Sequence, residues 1–288
     1  MPERIDAHHH LWQYDRRQYA WINDAMKPLA RHFLPADLEE ATSTAGIQGT
    51  VVVQARQCLD ETQWLLELAE QSSLIRGVVG WAPIATPDLQ GVLEEWRSEK
   101  KLVGLRHVVQ DEPDEQFLLR REFNTGICQL KKYSLVYDIL IYEKHLPAAI
   151  PFVDRHPNQV FVLDHIAKPP IREHCLEPWN KNIRELARRP NVFCKLSGMV
   201  TEADWVNWRP ADLQPYLDVV LEAFGPRRLM AGSDWPVCLL ATTYARWWTT
   251  LQELLRPLSA SERDLILGEV ASQVYSLTGR KSVPWAAS

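Results

Sequence analysis

The sequence predicts an α/β fold, a single (β/α)8 TIM barrel, and three observations carry that prediction. Eight short apolar runs recur along the 288 residues, each followed by an amphipathic stretch. The runs are almost unbroken in Val, Ile and Leu, the pattern of parallel strands covered on both faces. Strand–helix alternation repeated in this way closes into a barrel. The rival is a doubly wound open sheet, and no GxGxxG comes after the first run to support it. No low-complexity linker interrupts the chain, so one domain is expected over residues 1–288.

The first strand is read at "ERIDAH". The stretch from Gln13 to Arg31 is too long for an ordinary βα connection. It follows Trp12 and carries Tyr14, Tyr19 and Trp21, and an aromatic loop of that length is expected to act as a lid. The helix "PADLEEATSTAG" has Pro35 and Asp37 near its start and Gly46 as its stop. Then come "GTVVVQ" with a helix over 60–72, "IRGVVGW" with 86–100, and "LVGLRHV" with 114–133. "SLVYDILIY" is followed by 143–157, "QVFVLDH" by 176–190, "NVFCKLS" by 211–225 and "RRLMAGSD" by 242–257. A last helix over 259–279 opens on a capping pattern, Ser259 with Glu262.

Composition removes several function classes. The charge is 32 basic against 37 acidic residues, a net of −5, and no basic block stands out. Nucleic acid is therefore not an expected partner. No apolar run approaches the roughly 18 residues of a membrane span, and the first twenty residues lack the apolar core of a secretory signal. The cysteines (Cys58, Cys128, Cys175, Cys194, Cys238) are scattered without a CxxC, which fits reduced thiols in a cytoplasm. A homo-oligomer is compatible with the sequence.

In a barrel, chemistry sits at the C-terminal strand ends. The first strand ends in His8-His9-His10, and the second in Gln54 with Arg56 behind it. The third ends at Trp81 and the fourth at Arg106-His107. The fifth holds Tyr137 and Asp138. The sixth ends in Asp164-His165 with Lys168 close behind, the seventh holds Lys195 and Ser197, and the eighth ends Ser233-Asp234-Trp235. Side chains alternate along a strand, so His8 and His10 are expected on one face, with Asp6 one layer deeper and His9 on the other. A His-x-His pair with His165 and Asp234 from other strands makes a His3Asp set suited to one divalent metal or to a substrate carbonyl. Taken singly, Asp234 reads as a helix N-cap before it reads as catalytic, and His165 can be a core histidine; together they favour a functional cluster. Lys195 is either salt-bridged or a substrate contact, since a buried Lys needs a partner. His9 is read as packing or support. His32, His145, His156 and His174 are read as surface or structural.

"IDAHHHLW", "LDHIAKP" and "GSDWPV" resemble the amidohydrolase superfamily, and more narrowly its amidohydrolase-2 branch of sugar-acid lactonases, other lactone hydrolases and metal-dependent decarboxylases. "VVVQARQ", "GLRHVVQDEPD", "VYDILIYEKHLP" and "FCKLSGMVTEADW" resemble the sugar-lactonase subgroup, so the likeness covers nearly the whole chain. It implies hydrolysis of a sugar-acid lactone, with Asp234 as general base and His8, His10 and His165 polarising the carbonyl directly or through one divalent metal, zinc first. The fifth strand lacks the bridging Lys of binuclear members, which argues for one metal rather than two. Some lactonases of the branch need none, so the resemblance leaves open whether the metal is required or dispensable. Trp12, Gln54, Trp81, Arg106, His107, Tyr137, Lys195 and Trp235 would bind the substrate. The alternative the resemblance leaves open is a decarboxylase of an aromatic or muconate-type acid, with Arg56 and Arg106 as carboxylate clamps.

Overall fold

The structure is a computed structural model that describes residues 2–278. The ends of the expected 1–288 domain, and Gly279 at the end of the expected last helix, lie outside those residues. Among the described residues the strands are β1 (Ile5–His9), β2 (Gly49–Val53), β3 (Ile75–Gly80), β4 (Leu102–Val108), β5 (Val136–Leu140), β6 (Phe161–Leu163), β7 (Val192–Leu196) and β8 (Leu229–Ala231). All are parallel and neighbour one another in sequence order. A parallel bridge between His9 and Trp235, with His10 N donating to Trp235 O at 2.6 Å, joins the last strand's end to the first. The arrangement is a (β/α)8 barrel, as the sequence predicts.

The surrounding helices are α1 (Pro35–Ser43), α2 (Leu59–Gln71), α3 (Leu89–Glu95), α4 (Arg121–Leu130), α5 (Leu146–Asp154), α6 (Trp179–Ala187), α7 (Pro210–Phe224) and α8 (Tyr244–Leu254). Outward-facing strand residues such as Val52, Val78, Tyr137, Phe161 and Leu196 pack with them in one large apolar layer. Burial on both strand faces is why the strands read as unbroken apolar runs. Among the described residues no helix is long and apolar enough to cross a membrane.

Two helices differ from expectation. Residues 114–133 do not form one helix: a 3-10 turn covers Phe117–Leu119, and Arg120 is extended (φ −60, ψ 138) before α4 begins. Phe117 is drawn out of helical register to stack on His107 at 4.8 Å between centroids. The last segment is α9 (Ala260–Asp264), a π-helical turn over Leu265–Glu269, and α10 (Val270–Val274). The turn presses Gly268 against the chain before β1, where a Cβ would fall 1.9 Å from Glu3 O. No larger residue fits that approach.

The barrel interior is layered. Ile5, Ala7, Val51, Val79, Val103, Val136, Val162 and Met230 form an apolar floor, closed from below by Val270, Ala271 and Tyr275. Above it lies a charged layer of Arg106, Asp138, Asp164 and Lys195, all buried. His8, His10, His165 and Asp234 lie at the C-terminal mouth.

The strict alternation expected along β1 does not hold. Asp6 pairs with Thr50 and His9 with Val52, so the register slips by one residue between them. Ile5 and Ala7 belong to the floor, yet His8 also points inward. A bulge inserts one residue and re-aims the side chains beyond it. Asp6 therefore faces the outer layer rather than lying beneath His8. There it accepts hydrogen bonds from Ser233 N (2.8 Å), Ser233 Oγ (2.6 Å) and Tyr244 OH (3.0 Å). Burial outweighs these bonds and pushes its carboxyl up to about 6.

Candidate active site

Each cluster residue is held by a specific backbone arrangement. His8 and His10 straddle the end of β1 on the inward side of the bulge, while His9 turns away to Thr50 Oγ1 at 3.0 Å. His165 begins a turn in which His165, Ile166, Ala167 and Lys168 all have positive φ, between 47° and 61°. Four consecutive L-residues in the left-handed region store strain of order 1–2 kcal/mol each. Pinning bonds hold the turn: Trp179 Nε1 donates to Ile166 O at 2.7 Å, and His165 Nδ1 meets Ser197 Oγ at 2.8 Å. Gly198 lets the His165 ring lie flat against the chain, since a Cβ there would sit 2.6 Å from Nδ1. Asp234 is also left-handed (φ 56°), and its backbone N donates to His8 O at 2.8 Å. Its carboxylate points at the histidines rather than capping the next turn.

The four side chains converge. His8 Nε2 and His10 Nε2 are 3.2 Å apart. Asp234 Oδ1 lies 3.4 Å from His10 Nε2, 3.8 Å from His8 Nε2 and 3.9 Å from His165 Nε2. A hydrogen-bond partner decides the His10 tautomer. His10 Nδ1 faces the Val53 carbonyl at 2.7 Å and must donate to it. His8 Nδ1 lies 3.3 Å from Asp164 Oδ1 and 3.2 Å from Lys195 Nζ, an acceptor and a donor together, while Arg106 Nη1, which can only donate, lies 3.4 Å from His8 Nε2. His10 Nε2 is therefore a lone pair, and it meets His8 Nε2 at hydrogen-bond distance.

Electrostatics keeps this set ready to bind a cation. Burial drives the His8 imidazole well below its usual range, against the pull of Asp164. Burial lowers His165 to about 4, with Asp234 opposing. Burial alone would raise the Asp234 carboxyl, but His165, His10 and Lys168 hold it below the usual carboxylate range. At neutral pH the mouth thus presents neutral His8 and His165 imidazoles and an ionised Asp234 carboxylate. Two nitrogens about 2.0–2.1 Å from one tetrahedral zinc are separated by roughly 3.3 Å, close to the 3.2 Å found. The second bonds to Val53 O and Asp164 are those that fix ligating histidines. His8, His10 and Asp234 form one group able to hold a metal, and His8, Asp164 and His165 another that shares His8. The residues fit a single divalent ion.

Beneath the mouth the charged layer is closed on itself. Lys195 Nζ lies 2.5 Å from Asp138 Oδ2 and 3.0 Å from Asp164 Oδ1, Arg106 Nη1 donates to Asp164 Oδ2 at 3.0 Å, and Tyr275 OH meets Asp138 at 2.8 Å. Burial would raise Asp164, but Lys195, His8 and Arg106 hold it well below its usual value. Lys195 is thus salt-bridged under His8, and no substrate reaches it. Tyr137 is also away from the mouth: it lies on the outward face of β5 among Phe123, Phe152 and Phe161.

The other expected contacts divide. Gln54 is buried beside the cluster, donating to Arg106 O, and its Oε1 has no partner. His107 is bound to Glu112 at 2.6 Å, and Trp81 Nε1 reaches its other nitrogen at 3.4 Å. Trp12 is buried, edge-on to Phe33, which in turn meets Trp235. The aromatic loop after β1 is thereby anchored next to the mouth, with a 3-10 helix at Asp24–Leu29. Neither expected carboxylate clamp is free, since Arg56 is bound to Glu61 and Gln18, and Arg106 to Asp164. Sequence reasoning passed over a cleft beside the mouth lined by Tyr142, Lys168, Thr201, Glu202 and Trp205. Lys168 carried a signal through "LDHIAKP", Tyr142 through "VYDILIYEKHLP", and Thr201, Glu202 and Trp205 through "FCKLSGMVTEADW".

Comparison with known proteins agrees with the geometry. The chain is 42% identical over 285 residues to an L-fucono-1,5-lactonase of Burkholderia multivorans, covering 95% of this chain and 96% of that protein. It is 35% identical over 284 residues to an L-fucono-1,5-lactonase of Burkholderia ambifaria, covering 96% and 97%. A crystal structure of an amidohydrolase from Burkholderia multivorans with bound zinc superposes with a TM-score of 0.92 at 42% identity, covering 95% of this chain and 99% of that one. The family model described as Amidohydrolase matches residues 5–277, and the chain belongs to that family.

Proposed function

We propose that this protein hydrolyses a sugar-acid (aldono) lactone. The observation that carries the reading is the convergence of His8, His10, His165 and Asp234 at the open end of the barrel, in a chain 42% identical to an L-fucono-1,5-lactonase.

A lactone is a cyclic ester, and opening it requires a deprotonated water, stabilisation of charge on the carbonyl oxygen, and a proton for the departing ring oxygen. Asp234 is ionised and faces the three histidines, so it takes the proton from water and returns it to the ring oxygen. Each such transfer contributes about 10²–10⁴-fold. His10 presents a lone pair at Nε2, which suits holding an electrophile rather than donating a hydrogen bond. A divalent ion held by His8, His10, His165 and Asp234, with zinc the ion of choice, supplies Lewis-acid stabilisation of the carbonyl oxygen when bound. Arg106 Nη1, next to His8 Nε2, is a fixed hydrogen-bond donor beside the reacting centre. Gln54 Oε1 is free to accept from a substrate hydroxyl. The partner is a neutral small molecule. The free cysteines support a reducing compartment such as the cytoplasm.

The test is Asp234→Asn, assayed on an aldonolactone with a pH indicator. The expected result is a kcat lower by about 10²–10⁴-fold with an unchanged melting temperature. Turnover within threefold of wild type overturns the role of Asp234.

A further inference from the structure

The C-terminal ends of β5, β6 and β7 frame a cleft of about 330 Å³ beside the histidine mouth. Its framework is fixed by backbone bonds. Lys168 N donates to His165 O at 2.8 Å, and Arg172 N donates to Glu202 O at 2.9 Å, tying the β6 and β7 loops together. Thr201 Oγ1 donates to Gly198 O at 2.7 Å, and Trp205 Nε1 to Thr201 O at 2.8 Å. Among the described residues five charged side chains line it without a salt bridge: Arg172 and Glu173 are exposed, and Glu143, Lys168 and Glu202 are half-buried. Glu202 is half-buried, and among the described residues no protein donor reaches its carboxylate. Lys168 is half-buried too, and its Nζ lies over the Tyr142 ring at 5.3 Å from the centroid with no carboxylate in contact. Elsewhere in this barrel the buried charges are paired, as Lys195, Asp138, Asp164 and Arg106 are. Leaving charges partly desolvated and unpaired is costly, and a ligand that pairs with them recovers that cost.

The cleft is electrically continuous with the mouth. Burial raises the Glu202 carboxyl, with Lys168 opposing and Asp234 adding to the rise, and the same Lys168 charge helps hold Asp234 down. Tyr142 and Trp205 supply flat apolar faces, and Glu202 supplies a strong acceptor. A carboxylate between aromatic faces suits hydroxyl groups on a carbon ring. The lining carries three carboxylates, Glu143, Glu173 and Glu202, against two cations, Lys168 and Arg172, a balance that favours a neutral ligand over an acid.

We propose that this cleft binds the hydroxyl-bearing part of the lactone, with Glu202 accepting hydrogen bonds from the substrate hydroxyls and Lys168 donating to a substrate oxygen. Glu202 is thereby a specificity-determining residue of the site. The inference rests on the lactonase reading for its substrate.

The test compares wild type, Glu202→Ala and Glu202→Gln on a polyhydroxylated aldonolactone and on δ-valerolactone, which has no hydroxyls. A second arm titrates each protein calorimetrically with a polyhydroxylated lactam, an analogue not opened on that timescale. Glu202→Ala is expected to lower kcat/KM for the sugar lactone by roughly 10- to 100-fold, with a loss at least tenfold smaller for δ-valerolactone. Lactam binding should weaken by a similar factor, and Glu202→Gln should fall between. Because Glu202 has no protein partner, neither variant should melt earlier than wild type. Equal losses on both lactones, or no loss on either, overturn the inference. If wild type opens no lactone, the lactonase reading fails, and the lactam arm decides this one: weaker binding by Glu202→Ala upholds it, and unchanged or absent binding overturns it.

Discussion

The charged layer and the mouth sit one above the other in the same barrel and are built from similar groups, yet they do opposite things. In the layer, two carboxylates face two cations, every charge has a partner within about hydrogen-bond distance, and Tyr275 closes the set from below. In the mouth, a carboxylate faces three imidazoles whose δ-nitrogens already have polar neighbours and whose ε-nitrogens all lie within 3.9 Å of it. The first arrangement is complete without a ligand and the second is not. Buried polar groups that satisfy each other specify structure, and those that converge unsatisfied specify binding. His8 belongs to both: its Nδ1 is tied to Asp164 in the layer, and its Nε2 is aimed into the mouth.

The largest effect should come from opening the closed set. Lys195→Met leaves Asp138 and Asp164 with one cation between them, and breaking a buried pair costs about 3–5 kcal/mol. A melting temperature lower by on the order of 10 °C is expected from calorimetry. If this variant melts with wild type, the layer is not holding the barrel together and the contrast with the mouth collapses.

A middle-sized effect should come from completing the open set. Zinc added to chelator-treated protein stabilises only the folded state, by about 2.7 kcal/mol at a hundredfold excess over its Kd. Thermal melts should therefore rise with zinc in wild type and much less in His10→Asn, which lacks one of the converging nitrogens. An equal rise in both would place the ion somewhere other than the mouth.

The smallest effect should come from the histidine that faces neither region. His9→Gln loses one hydrogen bond to Thr50, worth about 1 kcal/mol. A slightly earlier melt with lactone turnover within a few-fold of wild type is expected. A loss of turnover as deep as that of His10→Asn would mean the bulge in β1 does not separate them.

The strands and the cluster were legible in the sequence for related reasons. Strands buried on both faces leave long apolar runs, and "VVV", "VLDH" and "VFCKL" each mark an end where a polar residue stands out. Alternation placed His8 and His10 together but failed at Asp6, because a bulge adds a residue without changing composition. Lys195 could not be resolved in sequence, since its partners Asp138 and Asp164 lie on other strands and the pairing exists only once the barrel closes. Tyr137 misled for the opposite reason: its neighbour Asp138 points inward, and adjacency in sequence is opposition in a strand. Glu202 and Trp205 lie in a loop with no periodicity to flag them. The left-handed turn at His165–Lys168 contains no glycine to announce it.

The floor has a kinetic meaning. With Val270, Ala271 and Tyr275 sealing the bottom and the charged layer above them, the barrel is a blind vessel with traffic at one end only. Substrate arrives and acid departs past the same Lys168 and Glu202, so the two journeys cannot overlap in time. The sojourn of the newly made acid then sets a limit on turnover that no improvement at Asp234 would lift.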